Sequence, residues 1–526
     1  MKIVLKKANF FLLFVLSVLI ILLINYYPSF YAKAESPRGM IFSGQSSLLD
    51  PWDLNVYVAA INWSQKYGLY FQNAYTTTSH KPIILYPLYT LLGIFFPAGN
   101  AFAIYQAMSI CTAIIFITFT YLLIKKFVNK YLALLATNLA LLGGGFGWYF
   151  FGNKFLSSDL VLTPLTFSSA FSKPHEMISL IFYFFALYHI FTAISKRSIK
   201  NSVISSFSLA LSIIFYPYLL LTFFFISFIY AFFLYKFKLK SYQTLLIPLI
   251  SSSILVLIYG AYLYSDENFF GVTMAILSKP NIFNLIESYG LLGIISLIQL
   301  FRIKKSKVLI FANIWFFTGV VASYLPISYS KYFLRGLFLP LSIISVFFIK
   351  KVSKKFNTDL LALSLAFLLI SSLTSIYLFN LKLVSARNAG SRWVYLKREE
   401  VDAFEFLNKF TTSGSGILST YIPGNFIPSY TYNRVYYGHN TQTPSSREKI
   451  DHLTKFYTNQ MSESEAEIFL EENNVSYVYW GRDEKGLTRN SIKDYLDYKF
   501  LHPVFQNSEV VIYNIKHNRI NENSEN

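Results

Sequence analysis

Charge is scarce in this sequence. Asp, Glu, Lys and Arg make up 14% of its 526 residues, against about 25% in a typical soluble domain. Cysteine occurs once, at Cys111, which excludes a disulfide framework and any cysteine-based zinc site. Acids are scarcer still before residue 380: Glu35, Asp50, Asp53, Asp159, Glu176, Asp266, Glu267, Glu287 and Asp359 stand against 29 Lys and Arg. There is no P-loop, no Ser-His-Asp arrangement, no His-x-x-x-His spacing and no internal repeat, so the usual marks of nucleotide hydrolysis, serine-type acyl transfer and zinc chemistry are missing. Apolar residues are abundant, at 54% hydrophobic and 19% aromatic. This balance excludes a disordered chain, a collagen, a coiled coil and an ordinary soluble enzyme.

The net charge of +19 is unevenly placed: residues 1–380 carry +20 and residues 381–526 carry −1. The positive excess therefore lies in the apolar part. Runs long enough for a ~30 Å hydrocarbon core fall at 9–27, 100–124, 131–150, 174–195, 201–217, 219–235, 243–263, 284–301, 308–325, 333–349 and 358–380. These eleven spans predict a polytopic α-helical membrane domain over 1–380, with the N-terminus inside and the chain after it outside. The expected inner segments hold Lys2, Lys6 and Lys7; Lys125, Lys126 and Lys130; Lys196, Arg197 and Lys200; Lys236, Lys238 and Lys240; Arg302, Lys304, Lys305 and Lys307; and Lys350, Lys351, Lys354 and Lys355. That is 20 of the 29 cations, the bias that sets orientation in a plasma (inner) membrane. Counting 82–97 as a further span would put Lys125–Lys130 outside, so this stretch reads as interfacial or re-entrant. The same short clusters at inner helix ends argue against nucleic acid as a partner and for membrane lipids.

Eight of the nine acids fall outside, Asp359 being the exception. A carboxylate at mid-membrane costs ~2.5–3.5 kcal/mol, so the outer face is the place to look for chemistry, unless acids are rare inside only because Lys and Arg fix the orientation. The N-terminus, with Lys residues, an apolar run and Ala32-Lys33-Ala34, has elements of a signal peptide. The run is long for one, which favours a retained helix.

The first outer loop, 28–99, is the richest segment. It reads Asp50-Pro-Trp-Asp53-Leu-Asn-Val-Tyr57, then Trp63, Gly68, Asn73, His80-Lys81-Pro82 and Tyr86-Pro87-Leu88-Tyr89. Val56, Tyr57, Ala60 and Trp63 recur at helical spacing over 53–67. Asp50 before Pro51 reads as an N-cap and Asp53 as a first-turn carboxylate favoured by the helix dipole. Two readings stand: both acids merely start an interfacial helix, or one is a general base or metal ligand.

A long first outer loop, Asp53-x-x-x-Tyr57 near its start, a helix ending at Gly68 and Tyr86-Pro87-Leu88-Tyr89 before the second span together resemble the GT-C class of membrane glycosyltransferases. That class includes oligosaccharyltransferase catalytic subunits, protein mannosyltransferases and lipid A aminoarabinose transferases. The resemblance implies transfer of a sugar from a polyprenyl-phosphate-linked donor to a glycan, lipid or protein acceptor at the outer face. Asp53 matches the class's first-loop catalytic acid, with Asp50 assisting. No cofactor is certain; a divalent cation, Mg or Mn, is the candidate. Such a reaction needs a base for the acceptor's proton and positive charge for the leaving phosphate. The outer cations available are Lys81, Lys331 and Arg335, with His80 and His175. An arginine can hold phosphate oxygens bidentately, yet at the start of a span Arg335 also suits snorkelling to the interface.

Gly143-Gly-Gly-Phe146-Gly147-Trp148 lies at the outer end of the third span and reads as close helix packing. Asp159 and Lys173-Pro174-His175-Glu176 follow. His175 and Glu176 suit proton relay or metal binding, or a plain helix start with Glu176 on the dipole. A GxGW, a later Asp and a Pro-His also recur in poorly characterised prokaryotic multi-pass proteins of GT-C type, in which Glu176 is a departure.

Residues 390–526 are soluble in composition and predict a small outer α/β domain: helix 397–410, strand 416–421, a turn at Pro423-Gly424-Asn425, strand 434–438, helices 446–458 and 463–473, strand 475–480, helix 491–497 and strand 509–515. Ser462 and Glu465 form a capping-box pattern. Asn425 and Gly438-His439 cluster after strands, where ligand sites of α/β domains often lie. His439 suits a structural hydrogen bond equally well. Two rivals remain beside glycosyl transfer. A transporter predicts mid-span ionisable residues and inverted repeats, which are missing; a non-catalytic protein with a partner-binding outer domain predicts that Asp50 and Asp53 are replaceable.

Overall fold

An apolar run in a bilayer satisfies its backbone by forming an α-helix. The computed structural model describes residues 9–44, 50–150, 158–236, 242–263, 281–300, 306–327, 329–489 and 495–515. Lys2, Lys6, Lys7, Lys238, Lys240, Arg302, Lys304, Lys305, Asp266, Glu267 and residues 491–494 of an expected helix lie outside them.

Helix α1 (Asn9–Ala34) leads to strand β1 (Met40–Phe42) and to two helices of the first loop, α2 (Asp53–Tyr67) and α3 (Pro87–Phe95). Then come α4 (Ala101–Ile124), α5 (Lys130–Leu141), α6 (Pro174–Lys196), α7 (Ile199–Ile213), α8 (Leu219–Tyr235), α9 (Gln243–Leu263), α10 (Ile282–Leu300), α11 (Lys307–Ala322), α12 (Phe338–Phe356) and α13 (Leu360–Arg387). With α1 these match the eleven expected spans in place. Seven helices of the described residues are long and apolar enough to cross a membrane, while α5, α7, α8 and α11 are shorter apolar helices. The protein is thus a polytopic, mostly helical membrane protein. Helix α3, in the stretch 82–97, has nine residues and rises about 14 Å, too little to cross.

Helix α5 is shorter than the expected 131–150. It stops at Leu141 because Gly143–Gly145 turn out of the helix and lie against other chain segments. The Gly144 amide donates to Ser371 O at 2.8 Å, and a Cβ on Gly145 would meet Glu287 O at 2.0 Å. The glycines permit close packing, but in a turn rather than a helix.

After α13, strand β2 (Tyr395–Lys397) pairs antiparallel with β1, Met40 opposite Lys397. A five-stranded sheet follows, built from β3 (Gly416–Leu418), β4 (Arg434–Val435), β5 (Val475–Trp480), β6 (Leu501–Gln506) and β7 (Val511–Ile515) in the order β4-β3-β5-β7-β6. The β3 pairings are parallel and the β7 pairings antiparallel. Five helices accompany it: α14 (Arg398–Phe410), α15 (Tyr421–Tyr430), α16 (Ser446–Tyr457), α17 (Glu463–Glu472) and α18 (Arg482–Thr488).

Two expectations need correction here. Pro423-Gly424-Asn425 is not a turn but lies in α15; Pro423 falls in the first helical turn, where a missing N–H costs little. The described part of 491–497 is not helical, and the helix comes earlier, as α18. Ser462 does cap α17: its Oγ accepts from the Glu465 amide at 3.3 Å and its own amide donates to Glu465 Oε2 at 2.7 Å. Ser462→Ala is expected to cost about 1 kcal/mol, read as faster amide hydrogen exchange across Glu463–Glu472.

Candidate functional site

The site is organised by α2. Residues Leu54 to Ile61, Trp63 and Ser64 of this helix are all buried, so it is an internal element rather than an interfacial one. It is buried because one side packs on the bundle, through Tyr57, Ile61 and Tyr105, and the other on the sheet domain, through Val56, Trp63 and Phe426. Asn55 Nδ2 donates to Asn425 Oδ1 at 2.6 Å, and Trp63 Nε1 to Pro428 O at 3.3 Å. Asn425 in turn donates to Gly438 O at 3.1 Å. It is a brace between α2 and the turn that carries His439.

Asp53 is the first residue of α2. Asp50 is not its N-cap, as the sequence had implied; Trp52 precedes the helix, and Asp50 sits in the left-handed region at φ 48, which Asp tolerates better than most residues. From there its carboxylate turns to the same partner as Asp53. Lys173 Nζ lies 2.7 Å from Asp53 Oδ2 and 3.3 Å from Asp50 Oδ2. Lys173 was not among the expected site residues. Its one signal was its place directly before Pro174-His175-Glu176, as one of few outer cations.

Burial alone would raise the Asp53 carboxyl, but Lys173 and then His439 hold it well below the usual carboxylate range. Conversely, burial would lower the Lys173 amine, and Asp53 with Asp50 holds it well above the usual lysine value. Both groups are therefore charged at neutral pH. His439 Nε2 lies 3.3 Å from Asp53 Oδ1. The other ring nitrogen, Nδ1, accepts from the amides of Thr441 and Gln442, each at 3.2 Å, which assigns the ring proton to Nε2, facing the acid.

The turn holding His439 exists because two glycines touch. A Cβ on Gly438 would lie 2.2 Å from Gly424 O, and one on Gly424 2.2 Å from Tyr437 O. Gly438→Ala is expected to cost about 1–3 kcal/mol and to move the imidazole off Asp53. Thermal unfolding of the variant beside wild type checks the cost.

A second charged pair faces the first. Arg335 Nε lies 2.8 Å from Glu176 Oε1, and the two side chains are 4% and 2% exposed. Arg335 also donates to the Tyr218 hydroxyl, and its guanidinium stands 4.2 Å over the Tyr216 ring. It is thus buried and paired, not snorkelling, and Glu176 is an ion-pair partner rather than a plain helix start. Glu176 Oε2 is buried with no hydrogen-bond partner among the described residues. His175 bridges two tyrosines, Tyr89 through Nδ1 at 2.5 Å and Tyr216 through Nε2 at 2.9 Å.

Asp53, Lys173, His175 and Arg335 line one cavity of about 390 Å³, walled by Tyr57, Tyr86, Tyr89, Tyr216, Tyr218, Tyr259 and Tyr332. Lys331 is next to it in the chain, its Nζ 5.2 Å from the Tyr332 ring centroid. His80, Lys81 and Asp159 do not line it. His80 accepts from the Asn73 amide at 2.9 Å within the first loop, and Lys81 is exposed. Asp159 Oδ2 accepts from the Gly145 amide at 2.9 Å and from Thr374 Oγ1 at 2.8 Å, fastening the glycine turn.

The donor set does not suit a divalent cation. Hard cations want several oxygen ligands, whereas here the Lys173 ammonium stands between the two carboxylates. Among the described residues, no group of three His, Cys, Asp or Glu is placed to hold a metal ion.

No protein-family model and no curated protein matches the chain. Solved structures do. The Archaeoglobus fulgidus oligosaccharyltransferase in the apo form superposes with a TM-score of 0.55 at 15% identity, covering 91% of this chain and 70% of that one. The Archaeoglobus fulgidus AglB in complex with an inhibitory peptide and a dolichol-phosphate gives 0.54 at 15%, covering 90% and 69%. ArnT from Cupriavidus metallidurans in the apo state gives 0.52 at 11%, covering 95% and 97%. The chain has the fold of the GT-C superfamily of membrane glycosyltransferases.

Proposed function

We propose that this chain is a GT-C-type glycosyltransferase that moves a sugar from a polyprenyl-phosphate carrier to a glycan, lipid or protein acceptor at the outer face of the plasma membrane. The observation that carries the reading is Asp53, ionised between Lys173 and His439, in one cavity with Arg335. Two solved structures add support: the Archaeoglobus fulgidus AglB with a dolichol-phosphate, and the Archaeoglobus fulgidus oligosaccharyltransferase with a tethered acceptor peptide. The orientation rests on the basic clusters. Lys125, Lys126, Lys130, Lys196, Arg197, Lys350 and Lys351 sit at the helix ends remote from the cavity, which the positive-inside rule assigns to the cytoplasm.

In the proposed step, the acceptor's hydroxyl or amine attacks the anomeric carbon as the bond from that carbon to the carrier phosphate breaks. The phosphate leaves with the bonding electron pair, and Asp53 takes the acceptor's proton. Lys173 and Arg335 supply preorganised positive charge for the developing phosphate anion. His439 keeps Asp53 turned toward the cavity, and the tyrosines offer flat apolar faces with hydroxyl groups to the sugar. One archaeal neighbour was solved with Zn and sulfate. Here Lys173 takes the position between the acids, so the proposed step is routed through no metal.

The test is direct. Protein reconstituted in vesicles is incubated with radiolabelled polyprenyl-phosphate sugars and membrane extract as acceptor. Transfer of label, with release of polyprenyl phosphate, is expected; failure to consume any donor would overturn the reading.

A further inference from the structure

Lys382, on α13, is 7% exposed. Its one polar partner among the described residues is Ser168 Oγ, at 3.2 Å. Other buried cations here are better served. Lys173 and Arg335 have carboxylates, and Lys449 has Thr76 Oγ1, Tyr436 O and the face of the Tyr436 ring. A buried charge with one neutral hydroxyl is costly unless something else completes its shell.

Among the described residues, no acid and no second hydrogen-bond acceptor meets it. Nearby backbone carbonyls are engaged: Phe171 O accepts from Tyr26 at 2.6 Å and from Ser109 at 2.9 Å, and Ser172 O accepts from Tyr105 at 2.6 Å. What Lys382 does face is a cavity of about 80 Å³, to which Lys33 of α1 and Gln106 of α4 also contribute. No Asp or Glu lines it. Its other walls are largely apolar, and Phe30 at its edge is an exposed side chain of a membrane helix. Among the described residues no carboxylate pairs with either lysine, and both stand at one small cavity at the end of membrane helices, the arrangement an anionic head group would need.

We propose that this cavity binds the phosphate head group of an anionic membrane lipid, with Lys382 and Lys33 as its cations. The site is separate from the 390 Å³ cavity but close to it: Leu54, the neighbour of Asp53, is part of its wall. A lipid bound there would press on the first turn of α2. The proposal holds whether or not Asp53 transfers sugar.

Delipidated full-length protein is titrated with dioleoyl phosphatidic acid, dioleoyl phosphatidylcholine or inorganic phosphate. Binding is followed by native mass spectrometry and stability by thermal unfolding. Wild type should prefer phosphatidic acid to phosphatidylcholine, and Lys382→Met should lose about tenfold of that affinity. Without lipid the same variant should melt higher than wild type, because an uncompensated buried cation is gone, while phosphatidic acid should raise the melting temperature of wild type alone. This opposite pair of shifts separates a ligand site from a packing role. Lys33→Gln, at an exposed position, should lose about threefold and keeps the test alive if Lys382→Met does not fold. Equal phosphatidic acid binding by wild type and the folded variants overturns the proposal. So does equal retention of phosphatidylcholine, and stabilisation by inorganic phosphate alone would make this a free-phosphate site and overturn the lipid assignment.

Discussion

Asp53→Asn is expected to lower the rate of sugar transfer by about 10²–10⁴-fold while the protein stays folded and retains its donor. The amide keeps the shape of the carboxylate and its contact with His439, but it accepts no proton. The variant also removes one of two negative partners of Lys173, whose distance to Asp50 is the longer of the two. Initial rates and donor binding measured together decide the matter: equal transfer by both proteins removes Asp53 from the mechanism. The pH profile adds a second check. Because the Asp53 carboxyl is held low in the folded protein, its ionised form persists as pH falls, so its acid limb should lie below about pH 4, the usual Asp range. The stability from the lowered group follows the same sign: it is fully present above the unfolded pKa and lost as pH falls through the folded one.

The largest stability effect should come from the Glu176–Arg335 pair. Arg335→Met leaves Glu176 buried without its cation, and Glu176→Gln leaves Arg335 without its anion. Each single change is expected to cost about 3–5 kcal/mol. The double variant should cost clearly less than the two singles added together, since no lone charge is left behind. Thermal unfolding of the four proteins in one detergent reads this directly; simple additivity would mean that the pair does not interact.

The fold was legible where one physical demand dominates. Apolar runs in a bilayer must be helical, and Lys clusters must stay on one side, so the helix order could be read from α1 to α13. The ends of helices could not, when they depended on remote contacts: α5 stops where Gly145 meets Glu287 and where Asp159 and Thr374 close the turn. The candidate site could be proposed as residue types but not as an assembly. Asp53, His175, Glu176, Arg335 and His439 stand in four separate segments of the chain, and only packing brings them together. Lys173 went unmarked because a lysine before a span looks like any other loop cation. Lys81 drew attention for being in the first loop, yet a loop of that length can point its side chains anywhere.

The bond between Asn55 and Asn425 joins positions 370 residues apart, and it has a consequence for how the protein is made. A ribosome delivers the membrane helices first, and α2 emerges long before its brace. Until the last quarter of the chain has been made and folded, Asp53 has no imidazole beside it and half of α2 is uncovered. Under the proposed function, the nascent chain would therefore lack its assembled site while donors are already present in the membrane. Synthesis itself acts as the safety catch, released when the sheet domain closes over the helix.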